Sequence, residues 1–287
     1  MDLKQIIILT LQISIVATVF GFGLRATLDD LLYVVRRPRL FARSLIAMLV
    51  VMPVIAIILA RNFDFPRNVE IALVTLAISP APPLLPNRER SAGALISYGL
   101  GLIVTIGLLS IVLVPLSMAL IGWIFGVPLG VSPAAVAPVM LMMLVGPIAL
   151  GVVVRRWRPD LAARIAGPIT TVALVLLLIP SLLMLVAAAP IVWRLVGNGT
   201  VLALSLFVAI GLAVGHLFGG PDPEHAAVLA LSTACRHPVL AMTIASSNFP
   251  DERFGGVIVL YLLVNMILSI PYIVLQKRRV ATAAPAA

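Results

Sequence analysis

The chain has 287 residues, of which 62% are hydrophobic and 11% are charged, and its formal net charge is +9. This composition excludes a water-soluble globular domain, because such a domain needs a polar surface. The positive charge does not indicate nucleic-acid binding, since the basic residues of a membrane protein mainly mark its cytoplasmic loops. We therefore predict an all-α polytopic membrane protein without a cofactor.

Nine hydrophobic segments follow one another along the chain, separated by short polar breaks. Each is close to the length of about 20 apolar residues that a membrane-spanning helix needs. We predict a single membrane domain over residues 1–280 and a disordered, Ala-rich tail over 281–287. The predicted spans are 5–24, 41–60, 69–93, 94–121, 133–154, 166–188, 200–218, 226–247 and 254–275.

The basic residues predict the orientation of these spans. With the N-terminus outside and the C-terminus in the cytoplasm, fourteen of the 20 Lys and Arg residues fall on the cytoplasmic side and five on the opposite side. Arg236 alone lies near the middle of a span. Because Lys and Arg in short loops stay in the cytoplasm, this bias favours both the span count and the orientation. We expect an integral protein of a bacterial inner membrane.

Two predicted spans contain helix-breaking sequences at corresponding positions. The third contains SPAPPLLP at 79–86, and the eighth contains STACRHP at 232–238. When spans one to four are laid over spans six to nine, the third falls opposite the eighth, and the odd offset of five reverses their direction across the bilayer. Such an inverted repeat with paired broken helices is typical of secondary transporters, whose substrate sites lie at the breaks.

Prolines make a continuous helix implausible in the third span, because each removes a backbone donor and clashes with the preceding turn. Irregular backbone at membrane depth is tolerated where it lines a cavity or is buried in protein. We therefore predict that this stretch lines a substrate or ion site. Its prolines are Pro80, Pro82, Pro83 and Pro86.

Arg236 carries the clearest functional signal in the second break. A charge near the middle of a span costs about 2.5 to 3.5 kcal/mol on insertion scales, and such charges usually serve a function. No Asp or Glu lies in the central part of any predicted span. We therefore expect backbone carbonyls of the third span to be its partners. An interfacial or purely structural arginine is the alternative.

Further candidates for the substrate or ion site lie near Arg236. His237 can change protonation near neutral pH, which suits proton coupling, although a neutral histidine that shapes the break explains it as well. Ser232, Thr233 and Asn265 are polar residues within spans, and pairing between helices is their other explanation. Cys235 and His237 are too few ligands for a metal site. No set of nucleophile, base and acid indicates an enzyme.

A series of short motifs extends along nearly the whole chain: GLRATLDDL at 23–31, Met-Pro at 52–53, Ser-Pro at 79–80, and residues 240–249. In order and spacing, this series resembles the bile acid:sodium symporter family. The resemblance implies transport of small organic anions by alternating access, with two crossing discontinuous helices. It also implies a core domain of spans at about 41–121 and 200–276, and a panel domain of spans at about 5–24 and 133–188.

The chain departs from this family at the positions that bind sodium. Family members that use sodium have a Glu-x-x-x-Gln-Asn pattern in the second broken helix, where this chain has Ser232, Arg236 and His237. The family's Ser-Asn pair at the first break falls on Leu85 and Pro86, and a Gln of the second span falls on Met48. Because a guanidinium in such a site repels sodium, we expect weak or absent sodium coupling.

These observations lead to the hypothesis that Arg236 permanently supplies the positive charge that sodium supplies in relatives. It would brace the helix crossing and attract an anionic substrate. The expected partners are a small anionic molecule and the lipid bilayer, with a homo-oligomer left open. The alternatives are a non-transporting receptor or scaffold of transporter fold, and a sodium-coupled symporter with unusual ligands.

Overall fold

A computed structural model of the protein describes residues 3–283, and these residues form helices without any strand. This confirms the predicted all-α fold. In chain order, the helices are α1 (Leu3–Gly23), α2 (Leu28–Leu31), α3 (Pro38–Leu45), α4 (Met52–Asn62), α5 (Arg67–Ile78), α6 (Leu85–Ser91), α7 (Ile96–Phe125), α8 (Pro133–Met140), α9 (Gly146–Trp157), α10 (Pro159–Leu195), α11 (Thr200–Gly219), α12 (Pro223–Ala234), α13 (Pro238–Asn248) and α14 (Gly255–Ala283).

Within the described residues, eight helical segments are long and apolar enough to cross a membrane. The predicted third span is missing from this set because it is divided into α5 and α6, and neither part is long enough alone. The eight segments are Gln5–Gly23, Pro38–Asn62, Ile96–Phe125, Pro133–Trp157, Pro159–Leu195, Thr200–Gly219, Pro223–Asn248 and Gly255–Thr282.

Large apolar side chains are exposed on the outer surface of these helices. Val112 is 64% exposed, Leu178 is 68% exposed and Leu217 is 76% exposed. Exposing such side chains to water is unfavourable, whereas in a bilayer they contact the apolar lipid tails. The outer surface is thus that of a membrane protein.

The segment Pro38–Asn62 contains a π-helical turn over Ile46–Val51, which joins α3 to α4. In this turn the Met52 N–H donates to the carbonyl of Ala47, five residues earlier. The following residue, Pro53, has no N–H to donate. The carbonyl of Met48 is therefore left without a backbone donor, and single π turns of this kind are frequent at functional sites.

The helices associate in two groups. α1 packs against α9 and α10, and α9 also packs against α10. The second group comprises α11, α12 and α14, which pack against one another, and the broken helices, where α5 packs against α13 and α6 against α12. Helix α10 also packs against α14, so the two groups are in contact, and the division into a core and a panel domain stays a prediction.

A glycine stripe on α11 brings α12 unusually close. A Cβ atom on Gly211 would lie 2.9 Å from the Cα of Ala234, and one on Gly215 would lie 2.5 Å from the Cα of Ala230. Backbone cannot yield to such overlaps as a flexible side chain can. The small residues therefore fix α12, and with it the start of the second break, against α11.

The last helix continues to Ala283 and so includes the first residues of the predicted disordered tail. Residues 284–287, the rest of that predicted tail, lie outside the described residues, as do residues 1–2. The predicted orientation of the chain across the membrane stays a prediction.

Candidate functional site

The two broken helices meet directly at their breaks. The first break comprises residues 79–84, between α5 and α6, and the second comprises residues 235–237, between α12 and α13. The N–H of His237 donates to the carbonyl of Pro80 at 2.8 Å. Unpaired backbone groups are costly inside a membrane. This hydrogen bond therefore pairs a backbone donor of the second break with a backbone acceptor of the first.

Arg236 lies at this crossing and is 0% exposed. Its guanidinium donates through three different nitrogens to three backbone carbonyls. Nε bonds to Thr233 at 3.0 Å, Nη1 bonds to Ser79 at 3.1 Å, and Nη2 bonds to Met48 at 3.1 Å. The expected partnership between Arg236 and a carbonyl of the third span is confirmed.

Prolines explain why two of these carbonyls are available. In a continuous helix the carbonyl of Ser79 would accept from the residue four positions later, which is Pro83 and has no N–H. The carbonyl of Met48 is freed in the same way, by the π turn and Pro53. The guanidinium replaces the missing N–H donors at both positions.

The third carbonyl, that of Thr233, is freed by the contact between the breaks. Its helical donor would be the N–H of His237, which instead bonds to Pro80. Thr233 and Ser79 also lie at the C-terminal ends of α12 and α5, where carbonyl dipoles produce a partial negative charge that favours a cation. No ion pair found among residues 3–283 involves Arg236, so backbone dipoles surround its charge.

Helix α14 holds the second break in place through two side chains. Tyr261 donates to the carbonyl of Ala234 at 2.8 Å, and the Asn265 amide donates to the same carbonyl at 2.9 Å. The Tyr261 hydroxyl also accepts the N–H of Arg236 at 2.6 Å. Residues four positions apart share one helix face, so the two act together. Asn265, predicted from sequence, thus contacts the break itself.

His237 begins α13 as its N-cap. Its Nδ1 accepts the N–H of Leu240 at 3.3 Å, and its Nε2 is buried without a hydrogen-bond partner among the described residues. A nitrogen that accepts a hydrogen bond carries no proton, so the ring is neutral with its proton on Nε2. This geometry agrees with the second explanation of His237, a neutral histidine that shapes the break.

Ser232 and Thr233 are both 0% exposed but have different contacts. The Ser232 hydroxyl donates to Oε1 of Glu89 at 3.1 Å. The Thr233 hydroxyl has no partner in the described part of the chain, and this residue contacts Arg236 through its carbonyl.

The four prolines of the third span have different positions. Pro80 contacts the second break, and the Pro82 carbonyl accepts the N–H of Leu85 at 3.1 Å in the turn that leads into α6. Pro83 is buried within the break. Pro86 lies in the first turn of α6 and not in the break. A proline is accepted there because the first N–H groups of a helix need no intrahelical partner.

Sequence reasoning missed Arg88 and Glu89. Arg88, counted among the basic residues of the cytoplasmic side, donates to Oδ1 of Asn265 at 2.6 Å and to the sulfur of Cys235 at 3.1 Å. Glu89, placed near the end of a span, is 0% exposed. The signal was the helical spacing of α6, which puts residue 89 on the same face as the apolar Leu85.

A cavity of about 270 Å³ lies apart from the breaks, where the link after α1 faces the start of α7. None of the predicted site residues lines it. At its wall, Asp30 accepts the Ser97 hydroxyl at 2.5 Å and the N–H and hydroxyl of Thr27 at 2.7 Å each. Burial raises the pKa of Asp30, but these hydrogen bonds outweigh it and hold the pKa below its usual value. The lining residues are Phe22, Arg25, Asp30, Arg90, Ile96, Ser97 and Leu100.

Comparison with known proteins gives one family match. The model of the Sodium Bile acid symporter family matches residues 12–195. This range includes the first break and ends before the second, so Arg236 lies outside the matched part. No curated protein matches the chain.

Proposed function

The chain belongs to the Sodium Bile acid symporter family, and on this premise we propose that it transports small organic anions by alternating access, with Arg236 in the place of a coupling cation. Members of this family are transporters rather than enzymes, which agrees with a small-molecule substrate and a bilayer environment. The proposal is carried by the three carbonyls around the Arg236 guanidinium where the broken helices cross.

A sodium ion does not fit beside this arginine. Sodium is a hard cation that prefers oxygen ligands, and the oxygens that surround the guanidinium are the carbonyls of Met48, Ser79 and Thr233. Each already accepts an N–H of the guanidinium. Two unit charges 4 Å apart repel by about 4 kcal/mol at an effective dielectric constant of about 20. We infer that the guanidinium takes the place of the ion.

A permanent cation changes the transport cycle. In a sodium-coupled carrier the crossing is completed only when the ion binds, so movement of the substrate depends on the sodium gradient. Here the side chain supplies the charge and the hydrogen bonds at all times. The proposed carrier therefore moves its substrate independently of the sodium gradient. Arg236 is sealed from water by protein, so its action on an anion is electrostatic rather than a direct contact.

Uptake by proteoliposomes tests this proposal. We expect vesicles containing the protein to take up taurocholate, or another organic anion, equally well in sodium and in choline buffers. Arg236→Gln should lose most of this uptake in choline, whereas Arg194→Gln, which removes an exposed arginine at the end of α10, should retain it.

Three results would contradict parts of the proposal. Uptake by the wild-type protein that requires sodium would refute the uncoupled mode. Uptake by Arg236→Gln equal to wild type in choline would remove the role given to the guanidinium. Binding of organic anions without any uptake would favour a receptor of transporter fold.

A further inference from the structure

Glu89 is a carboxylate buried in the protein interior without a cation. It lies in α6, which packs against α7, α12 and α14. Its Oε1 accepts one hydrogen bond, from Ser232. Its Oε2 is buried and has no hydrogen-bond partner in the described part of the chain.

The charged and titratable groups around Glu89 do not neutralise it. On its own helix, Arg88 turns toward Asn265 and Cys235, and Arg90 is exposed. No ion pair among residues 3–283 includes Glu89. An ionised carboxylate held in this way would have lost its water in exchange for a single hydrogen bond, which is costly.

No group on the neighbouring helices forms an ion pair with Glu89 in the described part of the chain. Tyr98 on α7 and Cys235 beyond α12 are close enough to interact electrostatically with Glu89, and neither carries a positive charge. The Tyr98 hydroxyl is already bonded to Ser44. On α12, His225 faces Tyr98 edge-on and bonds to Tyr33 rather than to Glu89. On α14, the residue near this position is the neutral Asn265.

A glycine on α7 makes room for this carboxylate. A Cβ atom on Gly99 would overlap Oε2 of Glu89 and lie 2.8 Å from its carboxyl carbon. The unpartnered oxygen thus occupies a slot that any larger residue at position 99 would fill. The slot and the serine donor hold the Glu89 side chain in place, and no cation in the described part of the chain pairs with it. These surroundings favour a neutral carboxylic acid.

We propose that Glu89 is a proton-binding site of this protein. Protonation takes a proton from water, forms an O–H bond on Oε2 and removes the negative charge, and deprotonation returns that proton to water. Ser232 links the site to the crossing, because the next residue, Thr233, holds Arg236 through its carbonyl. The coupling of this proton to an anion rests on the proposed function, whereas proton binding does not.

Infrared difference spectroscopy of the full-length protein in lipid vesicles tests proton binding directly. At neutral pH we expect the carbonyl band of a protonated carboxylic acid in the wild-type protein and its loss in Glu89→Gln. Glu70→Gln, which changes a half-buried acid in the first turn of α5, should keep the band. Identical neutral-pH spectra for the wild type and Glu89→Gln would overturn the proposal.

A second variant covers the case in which Glu89→Gln does not fold. Gly99→Ala leaves the acid in place but fills its slot, so the band should shift or disappear. An unchanged band in Gly99→Ala would show that the protonated acid lies elsewhere and would equally overturn the proposal.

A transport measurement separates this proposal from the proposed function. In vesicles loaded with a pH-sensitive dye, taurocholate uptake by the wild type should be accompanied by proton movement, and Glu89→Gln should move taurocholate without protons. Wild-type uptake without protons would overturn the coupling. If the wild type moves no organic anion, the proposed function fails, and the infrared result alone decides whether Glu89 binds a proton.

Discussion

Replacing Arg236 with glutamine should make the stability of the helix crossing depend on sodium. The substitution removes the fixed charge and the hydrogen bonds that the guanidinium donates to three carbonyls. Arginine donates to them from three nitrogens, whereas glutamine carries its donors on one, so about two carbonyls lose their partner. Oxygens without donors near the C-terminal ends of two helices are suitable ligands for a sodium ion.

The expected magnitude follows from two opposing effects. Each buried acceptor left unsatisfied costs about 1 to 3 kcal/mol, so two of them destabilise the variant by about 2 to 6 kcal/mol. Removing a buried charge acts in the opposite direction by several kcal/mol. The sodium response is therefore more diagnostic than the absolute stability. An ion that binds only the folded state stabilises it by about 2.7 kcal/mol at a hundredfold excess over its Kd.

The assay is thermal unfolding of the purified protein in detergent, in sodium chloride and in choline chloride at equal ionic strength. We expect the Tm of the wild type to be the same in both salts, and the Tm of Arg236→Gln to be higher in sodium. Arg194→Gln serves as the matched control and should behave as the wild type. Equal Tm values for Arg236→Gln in the two salts, or an equally large sodium effect in the wild type, would refute this reasoning.

The remaining predictions concern the supports of the site. Tyr261→Phe should destabilise the protein by about 1 to 3 kcal/mol, because it leaves the buried N–H of Arg236 unsatisfied. Denaturant or thermal unfolding measures this, and an unchanged stability would contradict the role given to α14 in holding the second break. Gly215→Ala should lower the Tm by forcing α11 and α12 apart. Gly167→Ala, with open space around its Cβ position, should leave the Tm unchanged. Equal Tm values for the two variants would show that α11 and α12 can separate without loss of stability. Asp30 has a pKa lowered by its hydrogen bonds, so its contribution to stability is present above the ordinary Asp pKa and is lost as pH falls through the folded-state value. In Asp30→Asn this acid-side loss of Tm should be absent, and a pH profile of Tm that matches the wild type would contradict the assignment.

The half-buried Arg88 and the buried Glu89 show where sequence reasoning ended. Hydropathy treats α6 as the polar end of the third span, since its sequence LPNRERS holds more charged than apolar residues. The burial of Glu89 comes from α7 and α12, which enclose one face of this short helix. Two such neighbours lie far apart in sequence, so no local pattern reveals that they meet around one carboxylate.

The sequence by itself determined the helical membrane fold, the positions of the two breaks and the backbone N–H donors that are missing at its prolines. These are local effects: apolar runs of sufficient length span a bilayer, and Pro53 and Pro83 cannot supply an N–H. Only the tertiary structure decided that one guanidinium meets the freed carbonyls of three separate segments. The reason is that Arg236 satisfies carbonyls of the π turn between α3 and α4, of the C-cap of α5 and of α12 at once, and this depends on helix packing over long distances in sequence.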